Sequence, residues 1–151
     1  MWDKLSAEYK IEKASAVLFK KSIDSVEMKN MMDSLAEAEK LARLNAPLNV
    51  RIASLYMSAG RIQKSFDALR RAARLDPLDK VVWQRMVEGY YRVFKMFIRQ
   101  KNFQQVEVVA KDIVGVAELT AEKNKNKMSD FIYSKRTYIM LEQMQYFLDK
   151  S

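Results

Sequence analysis

The clearest candidates for binding chemistry are four basic side chains on one predicted helix. They recur at intervals of seven, three and four positions, which places them along one side of an α-helix: Arg85, Arg92, Lys95 and Arg99. Guanidinium groups can form paired hydrogen bonds to carboxylate or phosphate, so this basic stripe suits an acidic peptide or an anionic polymer. Glu88 interrupts the stripe, and Gln84 and Tyr91 border it. The alternative is that the stripe is only the solvated side of an amphipathic helix.

The positive charge of the chain is concentrated in its middle segment. The chain has 27 Lys and Arg against 19 Asp and Glu, a formal net charge of +8. Residues 1–45 carry eight basic and eight acidic side chains, and residues 102–151 carry seven of each. Residues 46–101 carry twelve basic and four acidic side chains, so the whole excess lies on the segment that contains the basic stripe. A second basic cluster in that segment lies opposite the apolar side of its helix, and we interpret it as solvated surface: Lys64, Arg70, Arg71 and Arg74.

The residues needed for common catalytic sites are scarce. The sequence has no histidine and no cysteine, which excludes the usual catalytic triads, imidazole acid–base chemistry and zinc clusters. Glu8 and Glu12 stand one helical turn apart with lysines nearby, as do Asp33 and Glu37, and such pairs are typical of solvated surfaces. The three glycines, at positions 60, 89 and 115, form no phosphate-binding loop. We therefore expect a protein that is not an enzyme and that has neither a metal nor a cofactor.

The elements that must position the basic stripe are predicted to be helices throughout. Ala, Leu, Lys, Glu, Met and Arg dominate the composition, and the chain has only two prolines. Apolar residues recurring at three and four positions predict helices over residues 2–21, 25–44, 48–57, 62–75, 83–101, 103–121 and 128–149. No window is apolar for eighteen residues, so we expect no membrane span, and no signal peptide is visible.

Several residues mark the predicted helix ends. Gly60 can adopt the left-handed conformation that lets the chain double back between two helices. Pro77 ends the helix before it, and Asp79 can cap the next one. Asp24 or Ser25 can cap the second helix, and Asn102 is the expected cap of the sixth.

The predicted buried faces differ in clarity. In the first helix, these residues lie near one side: Trp2, Leu5, Tyr9, Ala16 and Phe19. The second helix has a methionine-rich stripe, which could form an adaptable binding groove or fill an irregular core: Met28, Met31, Met32, Leu35, Ala38 and Leu41. The fifth should bury Trp83, Met86, Val87, Tyr90, Phe94 and Phe97. In the last helix apolar residues spread more than half way round, so it should cap a stack of helices, or face a second copy or a missing neighbouring domain.

Part of the sequence repeats itself. Residues 43–50 echo residues 74–81, and Ala42 and Ala72 each stand five positions before a proline. Self-similarity at this spacing is typical of stacked helical hairpins. The segment resembles a tetratricopeptide repeat, because several residues fall in the register of that family's motif: Tyr56, Gly60, Leu69, Ala72 and Pro77, then Trp83, Met86 and Tyr90. The proline-to-proline step is about one turn shorter than the family's repeat of roughly 34 residues, which predicts a short first helix.

The resemblance implies an all-α fold and an α-solenoid. We expect a single domain over residues 1–151, with about three antiparallel helix hairpins and a C-terminal capping helix. The best-matching repeat is 46–79, a second partial repeat covers 80–121, and the terminal helix covers 128–149. Small residues should lie where paired helices touch, and Ala53, Ser65 and Ala72 would supply them.

The resemblance also implies a binding face, because the first helix of each tetratricopeptide hairpin lines a concave surface. That face would comprise the basic stripe and its neighbours: Arg51, Ser54, Gln84, Arg85, Glu88, Tyr91, Arg92, Lys95 and Arg99. We expect a non-enzymatic adaptor that binds an acidic peptide or a partner helix there.

Three other functions stay open. The basic segment could bind nucleic acid or another anionic polymer, although no known nucleic-acid motif is present and the charge is balanced over two thirds of the chain. The repeat style also resembles, more loosely, the region appended to bacterial O-antigen ligase- or polymerase-like membrane proteins. The chain could also be a self-association module, pairing through its last helix. A complete chain would be expected in the cytoplasm, and a fragment of such a membrane protein on the extracytoplasmic side.

Overall fold

The computed structural model describes residues 2–125, 127–132 and 134–150. All regular structure within these residues is helical, which confirms the all-α prediction. The helices are α1 (Trp2–Leu18), α2 (Ser25–Leu41), α3 (Ala46–Ser58), α4 (Ile62–Leu75), α5 (Lys80–Arg99), α6 (Phe103–Lys123), α7 (Met128–Phe131) and α8 (Lys135–Lys150). The chain divides into two compact units, the first ending at Asp76 and the second beginning at Pro77.

The first unit consists of two helical hairpins. Helix α1 packs along α2, α3 packs along α4, and α3 also contacts both α1 and α2. The α3–α4 contact is close because small residues lie there, as predicted: Ala53, Ser65 and Ala72 are all buried. The Ser65 hydroxyl donates a hydrogen bond to the Ala53 carbonyl at 2.7 Å, so the small side chain also satisfies its own polar group.

The local signals for helix ends are confirmed. Asp24, Asp79 and Asn102 accept backbone N–H hydrogen bonds in the first turns of α2, α5 and α6, at 2.7, 2.8 and 3.4 Å. Gly60 has a φ of +76° in the turn between α3 and α4, the left-handed conformation expected of it. Helix α4 runs from Ile62 to Leu75, the predicted range.

The two prolines hold different positions relative to the helices that follow them. Pro47 lies in the first turn of α3, whereas Pro77 lies outside α5, two positions before its cap Asp79. The caps themselves, Asn45 and Asp79, stand 34 positions apart. The expected short first helix is therefore wrong: α3 has 13 residues and α4 has 14, because the proline spacing does not measure the spacing of the helices.

The first helix buries a different side from the one its aromatic residues suggested. Trp2, Tyr9 and Phe19 are 81%, 63% and 86% exposed, and Leu5 and Ala16 are exposed as well. The buried residues of α1 are Ala7, Ile11 and Ala14. Two alanines flanking one isoleucine present a narrow surface that can approach α2 and α3 closely, which bulky rings could not do.

The second unit packs α5 against α6, and α8 against both. Helices α5 and α8 run parallel, as two contacts between them indicate. The Tyr91 hydroxyl donates a hydrogen bond to the side chain of Gln143, and the Phe94 and Phe147 rings pack edge to face with centroids 5.8 Å apart. The later residue of α5 contacts the later residue of α8, so the residue numbers of the two helices increase in the same direction.

The core of the second unit is built around Trp83. Its side chain is fully buried, its indole N–H donates to the Pro77 carbonyl at 2.7 Å, and its ring lies 4.9 Å from that of Phe131. Five of the six residues predicted for the α5 core are buried, and Phe97 is half-buried.

The predicted terminal helix over residues 128–149 is interrupted. The structure has a short α7 that ends at Phe131 and a separate α8 that begins at Lys135. Phe131 and Ile132, at the end of α7 and just after it, are both buried. The Phe131 ring packs on Trp83, so the end of α7 contributes to the core of the second unit.

Candidate partner-binding surface

Seven of the nine predicted site residues lie together on the solvent side of α5. The opposite side of the helix is fixed by Trp83 and by Tyr90, whose hydroxyl donates to Asp112 of α6 at 2.5 Å. These core contacts set the rotation of α5 and so direct the basic stripe away from the core. Four of the seven are exposed and three are half-buried; the seven are Gln84, Arg85, Glu88, Tyr91, Arg92, Lys95 and Arg99.

The one acidic residue of the stripe is already engaged by its neighbours. Gln84 donates a hydrogen bond to Glu88 at 3.2 Å, and the Arg85 guanidinium lies 4.0 Å from the same carboxylate. Within the described residues, no ion pair involves Arg92, Lys95 or Arg99. Their charges are therefore available to an anionic partner.

Tyr91 links the basic stripe to α8. Its ring lies beneath the Lys95 ammonium, with 5.6 Å between the nitrogen and the ring centroid. Its hydroxyl donates to Gln143, and beside this hydrogen bond is an open groove of about 460 Å³. The groove is lined by Tyr91, Lys135, Arg136, Ile139, Met140 and Gln143.

The sequence reasoning missed Lys135 and Arg136 as members of this surface. In the sequence the two residues lie about 36 positions beyond the basic stripe, on a helix predicted to begin seven residues earlier than α8 does. The sequence feature that pointed to this surface was the spread of apolar residues around the last helix. It predicted that the helix has more apolar surface than one buried side needs, but not where on the helix that surface lies.

Arg51 and Ser54, the other two predicted site residues, belong to the first unit. The Arg51 guanidinium lies 2.5 Å from Glu12 of α1, so its charge is paired across the α1–α3 contact. The Ser54 hydroxyl donates to the Val50 carbonyl of its own helix at 3.2 Å. The structure thus groups the two residues on α3 and the other seven on α5.

The second basic cluster is not uniformly solvated surface, and the prediction is wrong for Arg71. Its side chain is only 24% exposed and lies 2.8 Å from Glu39 of α2. Its Nε also donates to Asn49 of α3 at 2.7 Å. Lys64 and Arg74 are exposed, in agreement with the prediction. Arg71 differs because α4 places it over α2 and α3, a contact that spacing along one helix does not reveal.

Asn49 and Tyr56 complete this buried polar network. The Asn49 amide is fully buried and donates to the carbonyls of Ala42 and Asn45 at 3.0 and 2.8 Å. The Tyr56 hydroxyl donates to Glu39. Burial, followed by this hydrogen bond, raises the pKa of Tyr56 above its ordinary value of 10.0. No buried side-chain nitrogen or oxygen of the described residues lacks a hydrogen-bond partner, so the network is structural and offers no open site.

The described ranges lack both a metal site and a membrane-spanning helix. They contain no group of three or more acidic, histidine or cysteine side chains that could bind a metal ion. Nor does any helix in them combine the length and hydropathy needed to span a bilayer.

Comparisons of the chain with protein-family models, with curated proteins and with solved structures find no match. The tetratricopeptide resemblance stays a prediction.

Proposed function

We propose that the protein is a non-enzymatic adaptor that holds an acidic segment of a partner protein on the solvent side of α5. The observation that carries the proposal is that three exposed basic side chains on one side of α5 form no ion pair within the described residues: Arg92, Lys95 and Arg99. Arginine suits this role because it can grip a carboxylate with two parallel hydrogen bonds. The groove beside Tyr91 adds apolar surface to the same face.

Helix packing within the units supports a tetratricopeptide-like organisation. In the first unit α3 contacts both helices of the preceding hairpin, and in the second α8 contacts both α5 and α6. The caps of α3 and α5 stand 34 positions apart, which matches the family's repeat of roughly 34 residues. On this reading the hairpins are α1–α2, α3–α4 and α5–α6, and α8 packs as a closing helix. The partner would then lie on α5, the first helix of its hairpin.

The test is a triple charge reversal, Arg92→Glu, Lys95→Glu and Arg99→Glu. The unmodified protein is first used to capture the native partner from a lysate of the source organism, and mass spectrometry identifies that partner. The triple variant should no longer capture it. Exposed charges contribute only about 0–1 kcal/mol each to stability, so helical content and the melting temperature should change little.

A matched control reverses three exposed charges of the first unit: Arg61→Glu, Lys64→Glu and Arg74→Glu. The two variants have the same net charge, so a loss of capture in both would point to general electrostatic attraction. Loss in the α5 variant alone supports the proposal. Full capture by the α5 variant would refute it.

The same cations also fit an anionic polymer, and salt dependence separates the two readings. Binding to a single-stranded nucleic acid should fall steeply and linearly with the logarithm of salt concentration, because phosphate contacts release counterions. Protein capture that survives physiological salt, with no retention on such a nucleic acid, favours the adaptor.

A further inference from the structure

The groove between α5 and α8 leaves apolar side chains uncovered beside the basic stripe. Ile139 is 43% exposed and Met140 is half-buried, and together they form the apolar floor. The Tyr91–Gln143 hydrogen bond joins the two helices at this position. The volume of the groove, about 460 Å³, lies within the range of roughly 300–1,000 Å³ that is typical of ligand pockets.

Cations flank this floor along the direction of the helices. Arg136 stands seven residues before Gln143 on α8, and Lys95 stands four residues after Tyr91 on α5. Because α5 and α8 run parallel and Tyr91 meets Gln143, these two cations lie towards opposite ends of the groove. Lys135 adds a second charge at the Arg136 end.

We infer that the groove receives one bulky apolar side chain of the partner, with carboxylates on both sides of it in the partner's sequence. The inference rests on the proposed function and adds which kind of partner sequence the surface selects. A carboxylate placed over Ile139 and Met140 would lose water without gaining a partner, whereas an aliphatic or aromatic side chain would cover exposed apolar surface. The cations at the two ends favour acidic residues on both flanks.

Two labelled synthetic peptides provide the test. Both consist of glutamate and serine, and they differ only at the central residue, which is leucine in one and serine in the other. Fluorescence anisotropy at physiological salt should show the leucine peptide binding about tenfold more tightly, as expected for burial of one leucine side chain.

The substitution Ile139→Gln should reduce this preference to less than about twofold by making the floor polar. Val108→Gln is the matched control, because Val108 is also an exposed aliphatic residue of the second unit but lies on α6, outside the groove. That variant should keep the tenfold preference. Circular dichroism checks that both variants are folded, and the comparison of the two peptides on the unmodified protein does not depend on either.

The outcomes separate the inference from the proposed function. The unmodified protein could bind the two peptides equally well, and the charge reversal of Arg92, Lys95 and Arg99 could abolish that binding. This result overturns the groove inference and leaves the adaptor proposal standing. A preference that survives Ile139→Gln in folded protein also overturns the groove assignment. Failure of the unmodified protein to bind either peptide overturns both.

Discussion

The Arg71 guanidinium of α4 and the Glu39 carboxylate of α2 lie 2.8 Å apart, and each side chain is 24% exposed. Helix α3 contributes to the same network, since Tyr56 donates to Glu39 and Asn49 accepts from Arg71. One ion pair therefore connects the first hairpin to the second through a site that is largely removed from water. Removing one partner of such a pair destabilises more than removing one partner of an ion pair on the open surface, because the other charge is left largely buried and unpaired.

The first prediction concerns this ion pair. Arg71→Ala should lower the free energy of unfolding by about 1–3 kcal/mol, because Glu39 and Asn49 lose a charged donor in a largely buried site. Arg74→Ala, at an exposed position of the same helix, should change it by less than about 0.5 kcal/mol. Urea unfolding followed by circular dichroism measures both. Equal changes in the free energy of unfolding for the two substitutions would show that Arg71 contributes no more to stability than an exposed arginine.

The second prediction concerns the pH dependence of stability through Tyr56. Its folded pKa is raised above the ordinary value of 10.0, by burial first and by the hydrogen bond to Glu39 second. Above pH 10.0 the phenol ionises in the unfolded chain while it is still neutral in the folded chain. The stability that this group contributes is therefore fully present below pH 10.0 and is lost as the pH rises. The free energy of unfolding should decrease above that pH by up to about 1.4 kcal/mol per pH unit from this group alone.

Tyr56→Phe should remove that part of the slope, and Tyr146→Phe, at a 64% exposed ring, should retain it. Denaturant unfolding at a series of alkaline pH values gives the slopes directly. Identical slopes for the unmodified protein and Tyr56→Phe would contradict the burial of the phenol.

What could be predicted from the sequence is mostly local. The caps at Asp24, Asp79 and Asn102 depend on one side chain and the next turn of backbone, and the turn at Gly60 depends on a single φ angle. The buried side of α5 also follows from spacing alone, because one long helix has a wide apolar face. The position of the basic stripe on its solvent side follows in the same way.

What could not be predicted depends on contacts between helices. The buried side of α1 is set by how closely α2 and α3 approach it, and the fit selects Ala7 and Ala14 over the larger aromatic residues. The place of Arg71 depends on α2. Lys135 and Arg136 join the candidate surface only because α8 packs parallel to α5, after a break that no proline or glycine marks. Partner binding at this surface stays a prediction.

The third prediction uses the two tryptophans as a pair. Trp83→Ala removes a fully buried ring and its hydrogen bond to the Pro77 carbonyl, and should cost about 3–5 kcal/mol. Trp2→Ala, at a ring that is 81% exposed, should cost less than about 0.5 kcal/mol. Chemical unfolding measures both. A large loss for Trp2→Ala would mean that the exposed side of α1 is covered in solution, for example by a second copy, which sedimentation would then detect.

The fourth prediction uses two glycines whose substitution should have opposite effects. At both positions a Cβ atom would meet nothing within 4 Å, so steric clash plays no part in either. Gly60 has a φ of +76°, which L residues rarely adopt, and Gly60→Ala should lower the free energy of unfolding by about 1 kcal/mol. Gly115 lies exposed inside α6, where Gly115→Ala should raise it by about 0.5–1 kcal/mol.

Thermal and urea unfolding of both variants beside the unmodified protein would give the two signs. The comparison is informative because the chemical change is the same, one added methyl group, and only the backbone conformation differs. If Gly60→Ala were neutral, the turn between α3 and α4 would have to be formed with a negative φ at that residue. The tight hairpin that positions Ser65 against Ala53 would then need a different connection.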